Sequence, residues 1–394
     1  MNRKAMLAYL VTAMLLVSLL AGCGTANTSQ TNNTKPTQTG FHSTKTKGFV
    51  IGFANGYFGN TWRAQFIDDA QKVADQYKQQ GIISKFIVEN VNDDATQQVQ
   101  QLNSLIDQGV DALLINPVSP EALAPVVKRA LAKNILIVNV DDPAAYQGTY
   151  SVLGDHQDFF GIQTKWLAQT LNGKGNIVYI SGLNGNSCDK LRTAYAEGIL
   201  SKYPGIHIMA TAPGGWNETT SEKDMSNFLA TYPKIDGVLE QDVMAEGVMR
   251  AYDIAGKPYP PMTGDYTYGF FRKWAQHPDL KSIGVTYNPG IGADALEVAV
   301  HILQGDQFKA GVLQPNPENS SLVNTVIVPP AYVVTKDAQP DAPWLNDTYV
   351  PNLKEYTKAI SLADALKLGQ GQPDTADLDS VLSPDQVASY FQSK

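Results

Sequence analysis

QGVDALLINPVSPEALAPVVKRALAKNILIVNVDD, residues 108–142, carries two short apolar runs, Ala112–Ile115 and Ile135–Val138, on either side of a stretch of helical period from Glu121 to Ala132. Runs of Ile, Val and Leu without alternation are what strands buried on both faces look like. A strand, a helix and a second strand in that order make a βαβ unit, and its repetition builds a parallel sheet. The same rhythm extends upstream: FVIGFAN (49–55) reads as a strand, Trp62 to Tyr77 as a helix, KFIVEN (85–90) as a strand, and a helix passes through Leu102 and Ile106.

A second series follows TYSVLGD. A helix around Trp166 precedes NIVYISG (176–182), and a helix from Leu191 to Leu200 precedes HIMATAP (207–213). A helix across Met225 to Leu229 then leads to GVLEQD (237–242), a helix ending at Ala255, PMTGDYT (261–267) and a short helix at Phe270–Trp274. IGVTYN (283–288), a helix from Ala293 to Leu303 and the long run LVNTVIVPPAYVVT (322–335) close the folded part. Two βα series of similar length predict an α/β fold with two doubly wound parallel-sheet lobes, in line with a chain too long for one core. Ligands of such sheets sit beyond the carboxyl ends of the strands. Asn55, Tyr57, Asp141, Asp142, Gln241, Asp242 and Asp265 all fall there.

At the N-terminus, Arg3 and Lys4 precede an uncharged run from Ala5 to Gly22 that ends Leu20-Ala21-Gly22-Cys23. A basic start, an apolar middle and small residues before the cut are the layout of a secretory signal, and the small residues before a single Cys have the pattern of a bacterial lipobox. The expectation is a signal peptide at 1–22, lipidation of Cys23, and a location on the outer face of the cell membrane. An uncleaved membrane anchor is the competing reading, because the run is just long enough to span a bilayer. Residues 24–47, rich in Thr, Asn, Ser and Gln, read as a flexible tether.

The whole chain holds 30 basic and 38 acidic residues. Removing 1–22 takes away Arg3 and Lys4 and no acids, which leaves a net charge of −10. An acidic chain without basic clusters argues against nucleic acid as partner. With Cys23 lipidated, Cys188 is alone, so neither an internal disulfide nor a cysteine zinc site is expected. The tail from Asp337 is rich in Pro, Asp and Ala, with apolar periodicity returning in ISLADALKLG (360–369) and SPDQVASYF (383–391). The second of these opens with Ser383-Pro384, good helix-start chemistry.

From Val50 to Thr335 the ordered motifs resemble the ribose-binding-like periplasmic solute-binding proteins, the type I Venus-flytrap family that serves ABC sugar importers. GNTWRAQFIDDAQKVAD (59–75) is similar to the family's first loop and helix, which carries the site over to Asn60 and Trp62, with Arg63 standing where a second aromatic is common. Residues 108–142 follow the pattern in which a strand ends in Asp then Arg; Asp141 keeps the Asp, and Asp142 replaces the Arg. ISGLNGNSCDKLRTAYAEGI (180–199) supplies Arg192, APGGWN (212–217) supplies Trp216 as an aromatic wall, and LEQD and MTGDYT supply Asp242 and Asp265. Tyr287 or Asn288 falls at a last contact beside the hinge. The resemblance implies a lobe of 48–153 plus 288–320, a second lobe of 154–287 plus 321–336, a multi-strand hinge joining the two, and a C-terminal extension of 337–394. It also implies a monomer without cofactor that delivers its ligand to an importer permease.

These residue types suit a sugar. A pyranose has apolar C–H faces and a rim of hydroxyls, so Trp62 and Trp216 can form walls while Asp141, Asp242 and Asp265 accept and Arg63 and Arg192 donate. Each has a plainer reading. The tryptophans can be packing aromatics, Arg192 an ion-pair partner of Asp189 or Glu197, Asp141 and Asp265 helix caps, and Asp142 a turn residue before Pro143. A nucleoside, a polyol or a furanose signal remains as alternative ligand. For an enzyme, no G-x-S-x-G elbow, phosphate loop or H-E-x-x-H pair occurs and the histidines are scattered, so glycoside hydrolysis by paired carboxylates is the one catalytic rival.

Overall fold

Alternation of apolar runs with helical stretches produces two seven-stranded sheets. The computed structural model describes residues 41, 43–351, 353–378 and 381–392. The expected signal, Cys23 and the tether up to residue 40 lie outside the described residues. The end of that tether belongs to the folded body: Phe41 packs against the core and Lys45 pairs with Asp111 at 2.7 Å.

The first sheet holds β1 (Phe49–Asn55), β2 (Ile83–Asn90), β3 (Ala112–Asn116), β4 (Leu136–Val140) and β5 (Tyr150–Gly154). The second holds β6 (Lys174–Ser181), β7 (Gly205–Pro213), β8 (Gly237–Glu240), β9 (Met262–Gly264) and β10 (Ser282–Val285). Later strands complete both: β11 (Gln314–Asn316) and β12 (Asn319–Val328) join the first, β13 (Tyr332–Thr335) and β14 (Lys358–Ser361) the second. The orders are β11-β12-β5-β4-β3-β1-β2 and β14-β13-β10-β9-β8-β6-β7. Pairing is parallel throughout except β11 with β12 and β13 with β10. The interior strands β3 and β4 are buried along their whole length, which explains their unbroken apolar sequences.

Helices α1 (Thr61–Gln79), α2 (Ala95–Asp107) and α3 (Pro120–Ala132) follow the strands of the first lobe. In the second lobe come α4 (His156–Thr170), α5 (Ser187–Leu200), α6 (Glu218–Thr231), α7 (Ala245–Ala255) and α8 (Tyr268–Gln276). Then α9 (Ile291–Leu303) returns to the first lobe against α1, and α10 (Leu362–Leu368) and α11 (Pro384–Ala388) lie in the C-terminal extension. Asn60, Asp94, Ser119, Asp155, Asn186, Asn217 and Thr267 each cap a helix by accepting from a first-turn N–H. Such caps contribute about 1 kcal/mol each and mark where strand gives way to helix.

The chain crosses between lobes from β5 to α4, from β10 to α9 and from β12 to β13. The third crossing corrects the expected lobe boundary. LVNTVIVPPAYVVT is not one strand: Pro329 and Pro330 offer no N–H to a ladder, so the run breaks there. Residues 321–328, expected in the second lobe, belong to β12 of the first, where Thr325–Val328 pair with β5. The extension likewise belongs to both lobes, since β14 pairs with β13 while α11 packs on α9.

Candidate functional site

Helix α1 brings the first side chains to the gap between the lobes. Trp62 and Phe66, four residues apart on one face, stack at 5.2 Å between ring centres, and Phe66 meets Phe53 of β1 edge-on. The Trp62 ring also stacks on Tyr287 and donates its indole N–H to the Tyr287 carbonyl at 2.7 Å. Tyr287 sits in the crossing from β10 to α9, so α1 is pinned to the hinge. The close approach depends on Gly154, where a Cβ would come within 2.2 Å of the Tyr287 ring.

Arg63 follows Trp62, is 6 % exposed, and lies over the Trp62 ring at 4.8 Å. Its Nη2 donates to Asp141 Oδ2 at 2.7 Å and to Asp142 Oδ2 at 3.3 Å, while Nη1 is buried without a partner. The two departures from the common motif are therefore partners of each other: a guanidinium missing after β4 is supplied from α1, and Asp142 balances it. Asp142 is no surface turn residue. It is 2 % exposed and accepts from Asn116 Nδ2 at 2.6 Å and from the Cys188 thiol at 2.8 Å. Burial, reinforced by the neighbouring Asp141, pushes its carboxyl above the usual range, and Arg63 pulls it back. Burial lowers the tendency of the guanidinium itself to hold its proton, but the two carboxylates outweigh it and keep Arg63 charged.

From the second lobe, α5 presents Cys188 and Arg192 one turn apart on the same face. Arg192 Nη1 donates to Asp242 Oδ2 at 3.0 Å, and the guanidinium rests on the rings of Phe159 and Tyr287 at 4.5 and 4.6 Å. Asp242 keeps Oδ1 buried without a well-formed hydrogen bond, the Tyr266 hydroxyl lying close by, and burial pushes this carboxyl up against the opposing pull of Arg192 and Tyr266. Trp216 is held by an indole N–H bond to Gln241 Oε1 at 3.2 Å, and its ring lies so near Gly182 that a Cβ there would meet it at 2.3 Å. Across the gap, Asn60 Nδ2 reaches the Trp216 carbonyl at 3.4 Å and Cys188 reaches Asp142, so the lobes are closed on each other.

Asn60, Trp62, Arg63, Asp141, Cys188, Arg192, Trp216, Asp242, Val243 and Tyr287 line a narrow cleft whose free space with the lobes together is about 30 Å³. Eight of the ten residues expected from sequence are on this wall. Asp265 is not: its oxygens accept from Met244 N and Ala245 N at 3.2 and 2.9 Å, capping α7, which has no cap from its own N-cap side chain. Asn288 is buried beside the hinge and does not line the cleft. Cys188 and Val243 were missed, the first because a lone Cys inside a helix motif gives no signal of cleft exposure. Val243 has φ of 45°, a left-handed conformation costly for a β-branched residue. Asp141 and Trp216 are left-handed too, at 67° and 52°. Three cleft residues among seven such non-glycine positions in the described chain concentrate backbone strain where function is expected.

Asp141, His156 and Cys188 bring potential metal ligands within 4.8 Å of one another. Their hydrogen bonds already account for them. Arg192 Nε donates to His156 Nδ1 at 3.3 Å, which places the ring proton on Nε2, facing the Asp141 carbonyl at 3.0 Å. Burial and the Arg192 charge drive the His156 pKa down to about 3, so the ring is neutral, and burial keeps Cys188 a protonated donor. Two adjacent guanidinium groups would also repel a cation. The donor set does not fit a metal ion.

The model for the periplasmic binding protein domain family matches residues 51–307. The xylitol-binding protein of Mycolicibacterium smegmatis is 33 % identical over 207 residues, covering 51 % of this chain and 58 % of that protein. The ribose import binding protein of Bacillus subtilis is 27 % identical over 274 residues, 68 % of this chain and 86 % of that one. In three dimensions, an ABC transporter solute-binding protein from Thermobispora bispora superposes with a TM-score of 0.66 at 24 % identity, over 85 % of this chain and all of that one, and shares the fold.

Proposed function

From the premise that the chain belongs to the periplasmic binding protein family, we propose that it captures a small neutral polyhydroxy compound, a monosaccharide or a sugar alcohol, between its lobes for an ABC importer. The observation that carries this reading is the pair of unpartnered charged atoms on opposite walls. Arg63 Nη1 from the first lobe needs an acceptor, and Asp242 Oδ1 from the second, served only imperfectly by the Tyr266 hydroxyl, has room for a donor. A hydroxyl supplies either, and a polyol supplies both at once. Trp62 and Trp216 offer flat faces for C–H groups. Charge argues for neutrality: Arg63 and Arg192 are opposed by Asp141, Asp142 and Asp242, so no cation is left over for a carboxylate or phosphate. The xylitol and ribose named in the relatives support the same class.

A thermal-shift screen over pentoses, hexoses, sugar alcohols, nucleosides and sugar acids tests this. A ligand at a hundred times its dissociation constant stabilises the native state by about 2.7 kcal/mol, several degrees in melting temperature. Shifts are expected from neutral polyhydroxy compounds; a response to sugar acids or nucleosides alone would overturn the assignment. Lipid anchoring through Cys23 is part of the proposal. It predicts that a labelled fatty acid is incorporated into the parent and not into Cys23→Ala, and an unlabelled parent or a labelled variant would refute it.

A further inference from the structure

The C-terminal extension is bound to both lobes over a short stretch. On the second lobe, Arg272 pairs with Asp374 and donates to the carbonyls of Gly369 and Gln372 at 3.0 and 2.7 Å. Tyr268 N and Gly269 N donate to the carbonyls of Ala376 and Asp374, each at 2.9 Å, and Leu378 N donates to the Tyr266 carbonyl at 2.8 Å, an antiparallel clasp centred on Thr267 and Asp377. On the first lobe, Asp377 N donates to Gln65 Oε1 of α1 at 3.1 Å and Leu382 N to Asp294 Oδ1 of α9 at 2.9 Å. Beyond these, α11 buries Val387 completely, and Phe391 stacks on Phe308 and His301 at 4.5 and 4.6 Å. Lys309 N and Gln392 N close the end with bonds to the Tyr390 and Gln307 carbonyls, each at 2.8 Å.

We propose that residues 369–392 are a fourth connection between the lobes, a strap that limits how far the cleft opens. The limit follows from chain length. Leu378 is fixed to the second lobe and Leu382 to the first, so four peptide links join the anchors and reach at most about 14 Å when fully extended. Lobe separation at this point cannot pass that reach unless one anchor lets go. Each anchor combines backbone hydrogen bonds with a buried apolar side chain, Leu378 at 2 % exposure on one side and Val387 and Phe391 on the other, so release loses several contacts together. The strap runs beside α9, the first element after a hinge crossing, where restraint acts on the hinge itself. The proposal rests on no assumption about the ligand.

Small-angle scattering of the ligand-free full chain tests it. A Gly-Ser insertion of about eight residues between Asp379 and Ser380 falls between the two anchors and adds roughly 26 Å of reach. The radius of gyration is expected to rise above that of the parent. A second variant, Val387→Asp, places a charge in the α11 contact; hydrogen exchange over 384–392 reports release of the strap, and the same rise is expected. Superimposable scattering of parent and insertion variant, or an unchanged radius of gyration once exchange shows 384–392 released, would overturn the strap. Failure of the polyol screen would leave both outcomes readable.

Discussion

Asp242→Asn separates charge from shape at the acceptor on the second-lobe wall. In the parent, Oδ2 takes Arg192 Nη1 at 3.0 Å and Oδ1 is left for the ligand. The amide keeps an oxygen and the same volume, so the loss is the difference between a charge-assisted and a neutral hydrogen bond. Bonds to charged groups contribute about 1.5–3 kcal/mol and neutral ones about 0.5–1.5 kcal/mol, so the expected loss is about 1–1.5 kcal/mol, a fivefold to tenfold weaker dissociation constant. Asp242→Ala deletes the acceptor and strands Arg192 among aromatic rings. Affinity is then expected to fall further, and unpairing the buried guanidinium to cost about 3–5 kcal/mol of stability. Isothermal titration with whichever sugar or sugar alcohol stabilises the parent measures the first quantity, and denaturant unfolding the second. If both variants keep circular dichroism and bind within twofold of the parent, Asp242 does not face the ligand and the reasoning from its unpartnered oxygen fails.

Two further predictions concern the groups that hold the site together. Cys188→Ser preserves a donor to Asp142 Oδ1 and should bind within about threefold of the parent, whereas Cys188→Ala leaves that buried oxygen short of a donor and should lose about 1–2 kcal/mol; equal affinity of the two variants in the same titration would show that the thiol does not position Asp142. His156, held down to about 3, binds its proton in the unfolded chain near 6.5 and not in the folded one, so its contribution is complete above pH 6.5 and is lost as pH falls toward 3. Between pH 6.5 and 5 that amounts to about 2 kcal/mol. Glu240 and Asp265, raised by burial, act in the opposite sense, so the measurement is the difference between parent and His156→Gln in urea midpoints across that range. Parallel pH profiles would mean that His156 is not buried neutral.

The lobes were legible because strands buried on both faces leave no doubt about period: ALLI and ILIV became β3 and β4 with no residue exposed. The boundary at Pro329-Pro330 was equally written in the sequence, but a long apolar run hides a change of sheet, since both halves are buried and only the missing N–H groups announce the break. On the cleft wall, large residues with one function each, Trp62, Trp216 and Arg192, could be read from motif position. Asp265 could not, because a carboxylate after a strand serves a ligand or the next helix equally well, and here the uncapped start of α7 takes it. Asp142 was read as a turn because its partner lies 79 residues away. Two substitutions that each break a pattern make sense only as a pair, and pairing is a property of the fold.

Arg63 and Asp242, on opposite walls, also bear on how closure would be controlled. With the lobes apart, water reaches Arg63 Nη1 and Asp242 Oδ1. With the lobes together, neither atom makes a well-formed hydrogen bond to the protein, at a cost of about 1–3 kcal/mol each. A hydroxyl compound that satisfies both removes about 2–6 kcal/mol of opposition to closure, shifting the closed-to-open ratio by a factor of roughly thirty to twenty-five thousand. The direct contacts across the gap, Cys188 with Asp142, His156 Nε2 with the Asp141 carbonyl and Asn60 with the Trp216 carbonyl, contribute about 1 kcal/mol each, of the same order as the cost of stranding the two atoms. The ligand therefore decides the equilibrium, provided that opening is bounded so that closing does not forfeit a large conformational entropy. A strap of four peptide links supplies that bound, and the polar walls supply the selectivity: a compound lacking the hydroxyl at either atom leaves one charge stranded and gives back about half of the gain.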